Sequence, residues 1–140
     1  MSFGEVYGDN SSQHRIDELE ILRGNASCLR SEILNLRSEH HDYAIIMRNL
    51  LARLRTTNCC LSCQLRLVER REALERIILA LEKKLNLLEG NLYTIQEKIT
   101  FLEDYIPRLI EHEREMLAQE IARLRLEYEE YYMCRPFTRN

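Results

Sequence analysis

The sequence is poor in turn-forming residues and lacks tryptophan, with 4 glycines, 2 prolines and 0 tryptophans among its 140 residues. An ordinary globular domain has about 7% glycine and about 5% proline, and many of these residues form tight turns. Sandwiches, barrels and nucleotide-binding α/β folds need more turns than this composition supplies. The scarcity of turn residues therefore predicts an all-α protein.

Phosphate-binding loops are also missing, because neither G-x-G-x-x-G nor G-x-x-x-x-G-K-[ST] occurs among the four glycines. A narrow seam between paired helices offers little concave volume in which a nucleophile and its base can be oriented and shielded from water. We therefore expect no enzymatic activity, no cofactor and no small-molecule substrate.

Long apolar runs are absent as well, since no stretch approaches the roughly 18 residues that span a bilayer. The opening MSFGEVYGDN has neither the basic stretch nor the apolar core of a signal peptide. Five cysteines, an odd number, fit a reducing compartment better than a disulfide scaffold. The formal net charge of −3 gives no strong overall field, so nucleic acid is not an expected partner. These features predict a cytoplasmic or nuclear protein without a membrane span.

A heptad pattern is the strongest positive feature, with two sets of eleven positions at alternating steps of three and four. Every residue of the two sets is apolar except His40, which we interpret as a half-exposed seam residue. Each set covers about five heptads, more than the three or four that support a coiled-coil prediction, so we predict a helix-pairing interface. The N-terminal seam consists of Leu19, Leu22, Ala26, Leu29, Ile33, Leu36, His40, Tyr43, Met47, Leu50 and Leu54, and the second seam of Leu74, Ile78, Leu81, Leu85, Leu88, Leu92, Ile95, Ile99, Leu102, Ile106 and Leu109.

The predicted arrangement is an elongated coiled coil, a long antiparallel helical hairpin with arms at about 15–55 and 65–106. Each seam spans 36 residues, or about 54 Å of helix, and equal arms suit a hairpin. The intervening segment Thr56-Thr57-Asn58-Cys59-Cys60 is poor in helix formers. The alternative is one continuous rod with a register shift, because no glycine or proline lies between Gly24 and Gly90.

A third helix is predicted at about 108–133, because Pro107 lacks a backbone donor and crowds the preceding turn. Together the three helices form one coiled-coil domain of residues 11–134. Residues 1–10 are predicted to be a flexible leader, with Asn10 and Gln13 capping the first helix, and residues 135–140 a tail. The third helix carries its own stripe, with Glu113 as the polar exception: Ile110, Leu117, Ile121, Leu124, Tyr128 and Tyr131.

Cys60 and Cys63 form a C-x-x-C pair, a spacing at which two thiolates can bind one Zn²⁺. At the tip of a hairpin, this pair resembles the zinc hook of the long coiled-coil repair ATPases. The resemblance implies that two chains share one metal, because one pair supplies only half of a tetrahedral site. The interpretation that the residue pattern favours is cysteines that act as small apolar fillers, with no metal site.

Charge is uneven along the chain, with nine basic and four acidic residues in 48–84 but three basic and seven acidic in 111–130. Within the basic region Arg66, Arg70 and Arg71 are candidate anion-binding residues, because arginine presents a fork that matches anions. Glutamates alternate with these arginines at helical ion-pair spacings, which favours a solvated face over a binding site.

The function that these patterns predict is that of a non-enzymatic coiled-coil scaffold or adaptor subunit. Apolar residues flanking the seams, such as Ile46, Ile77 and Leu87, widen the stripe beyond what two helices need. We therefore expect helical protein partners, in a homo- or hetero-oligomer of a cytoskeletal, spindle or tethering assembly. The alternatives are nucleic-acid or filament binding through the basic central region, and a zinc- or thiol-linked dimer through Cys60 and Cys63.

Overall fold

In a computed structural model, which describes residues 11–56 and 60–134, two long α-helices account for nearly all of the described residues. Helix α1 covers Ser12–Thr56 and helix α2 covers Leu61–Cys134. The described ranges contain no β-strand, so the predicted all-α class is confirmed. The predicted leader at 1–10 and tail at 135–140 lie outside the described residues.

Ser11 caps the N-terminus of helix α1. The backbone N–H of His14 donates to Ser11 Oγ at 3.1 Å, which satisfies one of the donors left free at a helix N-terminus. The predicted cap, Asn10, lies outside the described residues. Gln13, its predicted partner, donates from its amide to the Asp17 carboxylate at 3.0 Å.

The predicted third helix is wrong, because α2 continues through Pro107 to Cys134 without a break. Proline removes one backbone donor, while the bonds of the neighbouring turns remain in place. Side chains also bridge this part of the helix: Arg108 pairs with Asp104 at 3.0 Å, and the rings of Phe101 and Tyr105 stack at 5.5 Å. The lost bond is too small a penalty to end a helix of this length.

Contacts divide the chain into two compact units. The central unit is Ile21–Lys98, and the terminal unit combines Met1–Glu20 with Ile99–Asn140. Each unit therefore contains a part of α1 and a part of α2.

In the central unit the two helices pack through a small apolar core. Ile33, Leu36 and Leu85 are buried in it, and each such side chain contributes roughly 1.5 to 3 kcal/mol when removed from water. The side chains packed around this cluster are Leu81, Leu88 and Leu92.

Polar contacts connect the same two helices across long sequence separations. Arg37 donates to Glu89 at 2.7 Å, and His40 lies 3.1 Å from Glu82. In one uninterrupted helix Arg37 and Glu89 would lie about 78 Å apart, so the alternative of a continuous rod is wrong. The packing of two helices fits a hairpin.

In the terminal unit the start of α1 packs on α2. Leu19, Leu102 and Ile106 are buried, and the Arg15 guanidinium lies 5.9 Å from the centre of the Tyr105 ring. This distance allows a cation–π attraction.

Candidate helix-pairing surfaces

Both predicted seams lie on covered faces of the helices. Every residue of the N-terminal seam and of the second seam is buried or half-buried, and none is exposed. By contrast, Leu34, one residue from the buried Ile33 and off the seam, is 63% exposed. The heptad spacing therefore identifies covered positions in both sets, which include all predicted pairing residues: Leu22, Leu29, Ile33, Leu36, Tyr43, Met47, Leu50, Leu54, Leu74, Ile78, Leu81, Leu85, Leu88, Leu92, Ile95, Ile99, Leu102 and Ile106.

The second seam begins one heptad earlier than predicted. Leu67 is buried and lies seven residues before Leu74, so it continues the same frame. Arg71 occupies the seam position between them and is half-buried. The heptad spacing indicates this earlier start, but Arg71, at one of the two additional seam positions, obscured it.

The half-buried seam residue His40 faces a carboxylate of the other helix. Its Nε2 lies 3.1 Å from Glu82 Oε1, an ion pair when the imidazole is protonated. The polar member of the N-terminal seam thus has a polar partner on α2, as a partly buried polar group requires.

Glu113, the polar exception in the C-terminal pattern, binds the start of α1. Its carboxylate accepts the Ser12 backbone N–H at 2.8 Å and the Ser12 hydroxyl at 2.7 Å. The hydrogen bond from the Ser12 hydroxyl has the larger effect and that from the backbone N–H the smaller, and both lower the pKa of the Glu113 carboxyl below its usual value. A carboxylate near a helix N-terminus is also favoured by the helix dipole. Sequence reasoning missed this contact, because nothing in the spacing connects residues 12 and 113.

The C-terminal part of α2 is uncovered, because every residue of 111–133 is exposed. This part of the helix still carries apolar side chains at three-and-four intervals. We call these residues the C-terminal stripe: Leu117, Ile121, Leu124, Tyr128 and Tyr131. Their exposed fractions range from 43% for Ile121 to 63% for Tyr131.

Beyond Glu113, charged and aromatic side chains of α2 make local contacts. Arg123 pairs with Glu120, three residues earlier, and with Glu127 at 3.0 Å, four residues later. The ring of Tyr132 lies 4.4 Å from that of Tyr128 and meets Tyr131 edge-on at 5.7 Å. Such contacts support the helix itself and leave the stripe open.

The three candidate anion-binding arginines have different surroundings. Arg71 is a seam residue that faces Glu75 at 3.6 Å, whereas Arg66 and Arg70 are exposed. Arg70 and Arg53 line an open groove of about 420 Å³ between the helices of the central unit, together with Leu50 and Leu74. An anion-binding role for the three side chains stays a prediction.

Cys60 and Cys63 lie at the start of α2, with both side chains exposed. Their Sγ atoms are 3.3 Å apart, and Cys60 Sγ also lies 3.1 Å from Ser62 Oγ. The Ser62 hydroxyl, followed by hydrogen bonds from Cys63, lowers the pKa of the Cys60 thiol from its usual 9.0 to about 7. Among the described residues, no group of three or more His, Cys, Asp or Glu side chains is placed to hold a metal ion. Cys28 is exposed on α1, and Cys59 lies outside the described residues.

Neither α1 nor α2 has a stretch that is both long and apolar enough to cross a membrane, within the residues described. No protein-family model matches the chain, and no curated protein and no solved structure is detectably similar to it. Function is therefore inferred from the residues and contacts of this chain.

Proposed function

We propose that the chain is a non-enzymatic coiled-coil scaffold or adaptor subunit that pairs helices. One observation carries the proposal: α2 repeats its apolar seam pattern at 117–131, where no helix of the described chain covers it. Each leucine or isoleucine side chain that stays exposed to water lacks the roughly 1.5 to 3 kcal/mol of stabilisation that its burial would provide. A second helix laid on the C-terminal stripe recovers part of that free energy.

We further propose that the paired parts of α1 and α2 form an antiparallel coiled-coil hairpin. The contacts Arg37 to Glu89 and His40 to Glu82 support this, because partners later in α1 are earlier in α2. The burial of both seams at heptad spacing supports knobs-into-holes packing between the helices.

The composition of the C-terminal stripe favours two parallel strands. In heptad notation Ile121 and Tyr128 take position a, while Leu117, Leu124 and Tyr131 take position d. In parallel coiled coils, isoleucine at a with leucine at d favours two strands over three or four. We therefore propose a second copy of this chain as the partner helix.

Charge also distinguishes the two orientations of a self-paired stripe. Positions g hold Glu113, Glu120 and Glu127, and antiparallel helices would bring these glutamates against one another. In a parallel pair each g position faces the e position five residues later on the other helix, so Glu120 meets Arg125 of the second copy. The symmetric dimer contains this attractive pair twice.

The self-association that we propose is weak, because the stripe covers only about two heptads, fewer than the three or four of a stable coiled coil. Exposed apolar residues on the central unit offer further contact area for an assembly of more helices: Ile46, Ile77 and Leu87. A subunit of this kind suits a cytoskeletal, spindle or tethering assembly in a reducing compartment, where many weak contacts add up.

Two matched substitutions test the stripe. Leu124 and Leu126 are both exposed, at 51% and 60%, but only Leu124 lies on the stripe. Sedimentation across the micromolar to millimolar range should show the mass of the natural chain rising toward a dimer. Leu124→Glu should remain monomeric, while Leu126→Glu should behave as the natural chain. A natural chain that stays monomeric throughout, or equal effects of both substitutions, would refute the pairing.

A charge exchange tests the orientation. Glu120→Lys and Arg125→Glu should each weaken self-association, since each places like charges opposite one another. Mixing the two variant chains should restore association, because the introduced lysine then faces the introduced glutamate at one pair, while Glu120 faces Arg125 at the other. Mixed chains that associate no better than either variant alone would exclude the parallel register, whereas the Leu124 result would still test pairing itself.

A further inference from the structure

The start of α2 brings two nucleophilic side chains together outside the pairing surfaces. Cys60 precedes the first residue of α2, and Cys63 lies in its first turn. Their sulfurs are 3.3 Å apart and both side chains are exposed, so small molecules in solvent can reach the pair. A disulfide at this spacing needs a closer approach of about 1.3 Å between the sulfurs.

The surroundings of Cys60 favour its thiolate. Free N–H groups and the positive end of the dipole lie at the start of a helix, and both favour an anion there. The Ser62 hydroxyl and the groups of Cys63 add hydrogen bonds, and together they set the pKa of Cys60 at about 7. Near neutral pH about half of this cysteine is therefore the nucleophilic form.

We propose that Cys60 and Cys63 form a reversible dithiol–disulfide couple that exchanges with small-molecule disulfides, such as oxidised glutathione. Cys60 is the attacking residue and Cys63 is the resolving residue. This site is independent of the proposed scaffold function, because neither cysteine belongs to a seam or to the C-terminal stripe.

The exchange takes place in two balanced steps. The Cys60 thiolate attacks one sulfur of the small disulfide, forming a mixed disulfide and releasing one small thiolate. Cys63 then gives its proton to solvent and attacks the Cys60 sulfur. This forms the Cys60–Cys63 bond and releases the second small thiolate. The chain loses two electrons and the small disulfide gains them.

The number of ligands favours this chemistry over a metal site. Two sulfurs complete a disulfide, whereas a structural zinc site needs four ligands. The described residues supply no group of three candidate ligands. The contact between Cys60 and Cys63 is thus sufficient for thiol exchange within one chain.

The test uses the full chain with Cys28, Cys59 and Cys134 replaced by serine, and 5,5′-dithiobis(2-nitrobenzoate) as the probe. With Cys60 and Cys63 both present, each chain should release two aromatic thiolates and carry no adduct by mass spectrometry. With Cys63→Ser added, each chain should release one and keep the probe on Cys60. A persistent adduct in the chain with both cysteines would overturn the proposal.

Reaction rates separate the two roles. At neutral pH the gain in thiolate outweighs the lower nucleophilicity of a more acidic thiol, so Cys60 alone should react about five to ten times faster than Cys63 alone. Its rate should fall as the pH drops through about 7. Equal rates and equal pH profiles in the Cys63→Ser and Cys60→Ser chains would contradict the assignment. Circular dichroism with equal helix content in both variants shows that folding is not the cause of any difference.

Discussion

The covered seams and the C-terminal stripe carry the same spacing but lie in opposite environments. Ile33 in the N-terminal seam is 3% exposed, whereas Ile121 in the stripe is 43% exposed. The difference follows from where the described helices overlap, because α1 begins at Ser12, which binds Glu113, and no residue of α1 lies alongside the part of α2 that follows. A heptad pattern therefore predicts which side of a helix is to be covered, and the available partner decides whether it is.

The largest expected effect compares one isoleucine from each region. Ile33→Ala should lower the free energy of unfolding by about 2 to 5 kcal/mol, because it leaves a cavity in the packed core. Ile121→Ala in a dilute monomer should change it by less than about 1 kcal/mol, since no packing is lost there. Urea titration followed by circular dichroism measures both values. Comparable losses at the two sites would mean that the stripe is covered within one chain.

A smaller effect is expected where α1 begins. Ser11→Ala should cost about 1 kcal/mol of stability, because the His14 N–H loses its acceptor. Ser31→Ala is the control, since this exposed serine lies inside the same helix, where alanine is the better helix former. Thermal unfolding compares the two variants with the natural chain. A Ser31→Ala variant less stable than Ser11→Ala would contradict the cap.

The boundary between covered and open helix should respond to acid through Glu113. Its pKa is lower in the folded chain than its usual 4.5, so the stabilisation from Ser12 is complete above that value. It is lost as the pH falls below 4.5 and through the folded pKa. Thermal unfolding between neutral and acidic pH should therefore show a smaller acid-dependent loss in Glu113→Gln than in the natural chain. Identical pH dependences of unfolding in the two chains would contradict the stabilising role assigned to the Glu113 carboxylate.

The smallest effect is expected at the ion pair that crosses the central unit. Arg37 and Glu89 are 2.7 Å apart but both substantially exposed, so their coupling should be below about 1 kcal/mol. A double-mutant cycle with Arg37→Ala and Glu89→Ala measures it, and added salt should reduce it further. A coupling well above that bound would show that ionic contacts, and not the seams, determine the pairing.

Sequence reasoning reached the helical class and the covered positions because both depend on local periodicity. Each residue of the two seams, from Leu19 to Leu109, could be assigned to one side of a helix from its neighbours at three and four steps. Leu67 belonged to the same series and was missed only because Arg71 interrupts it. The all-α class is confirmed, and the pairing function remains a prediction.

Features that depend on tertiary contacts were not predictable in this way. Pro107 suggested a helix end, but the hydrogen bonds of the turns on either side outweigh one missing donor. The bond between Ser12 and Glu113 joins residues 101 positions apart, and no local pattern encodes it. The contact between the Cys60 and Cys63 sulfurs follows from the spacing, whereas the thiolate-favouring surroundings of Cys60 depend on where α2 begins.

Hydrogen exchange measured at increasing protein concentration tests the central claim most directly, because it reports on both regions of one chain at once. In dilute solution the amides of 21–54 and 67–98 should exchange slowly and those of 115–133 quickly, since only the former lie where α1 and α2 pack together. Raising the concentration should protect 115–133 in the natural chain and in Leu126→Glu, but not in Leu124→Glu. Exchange in 115–133 that is slow in dilute solution, or that stays fast at every concentration, would contradict the account.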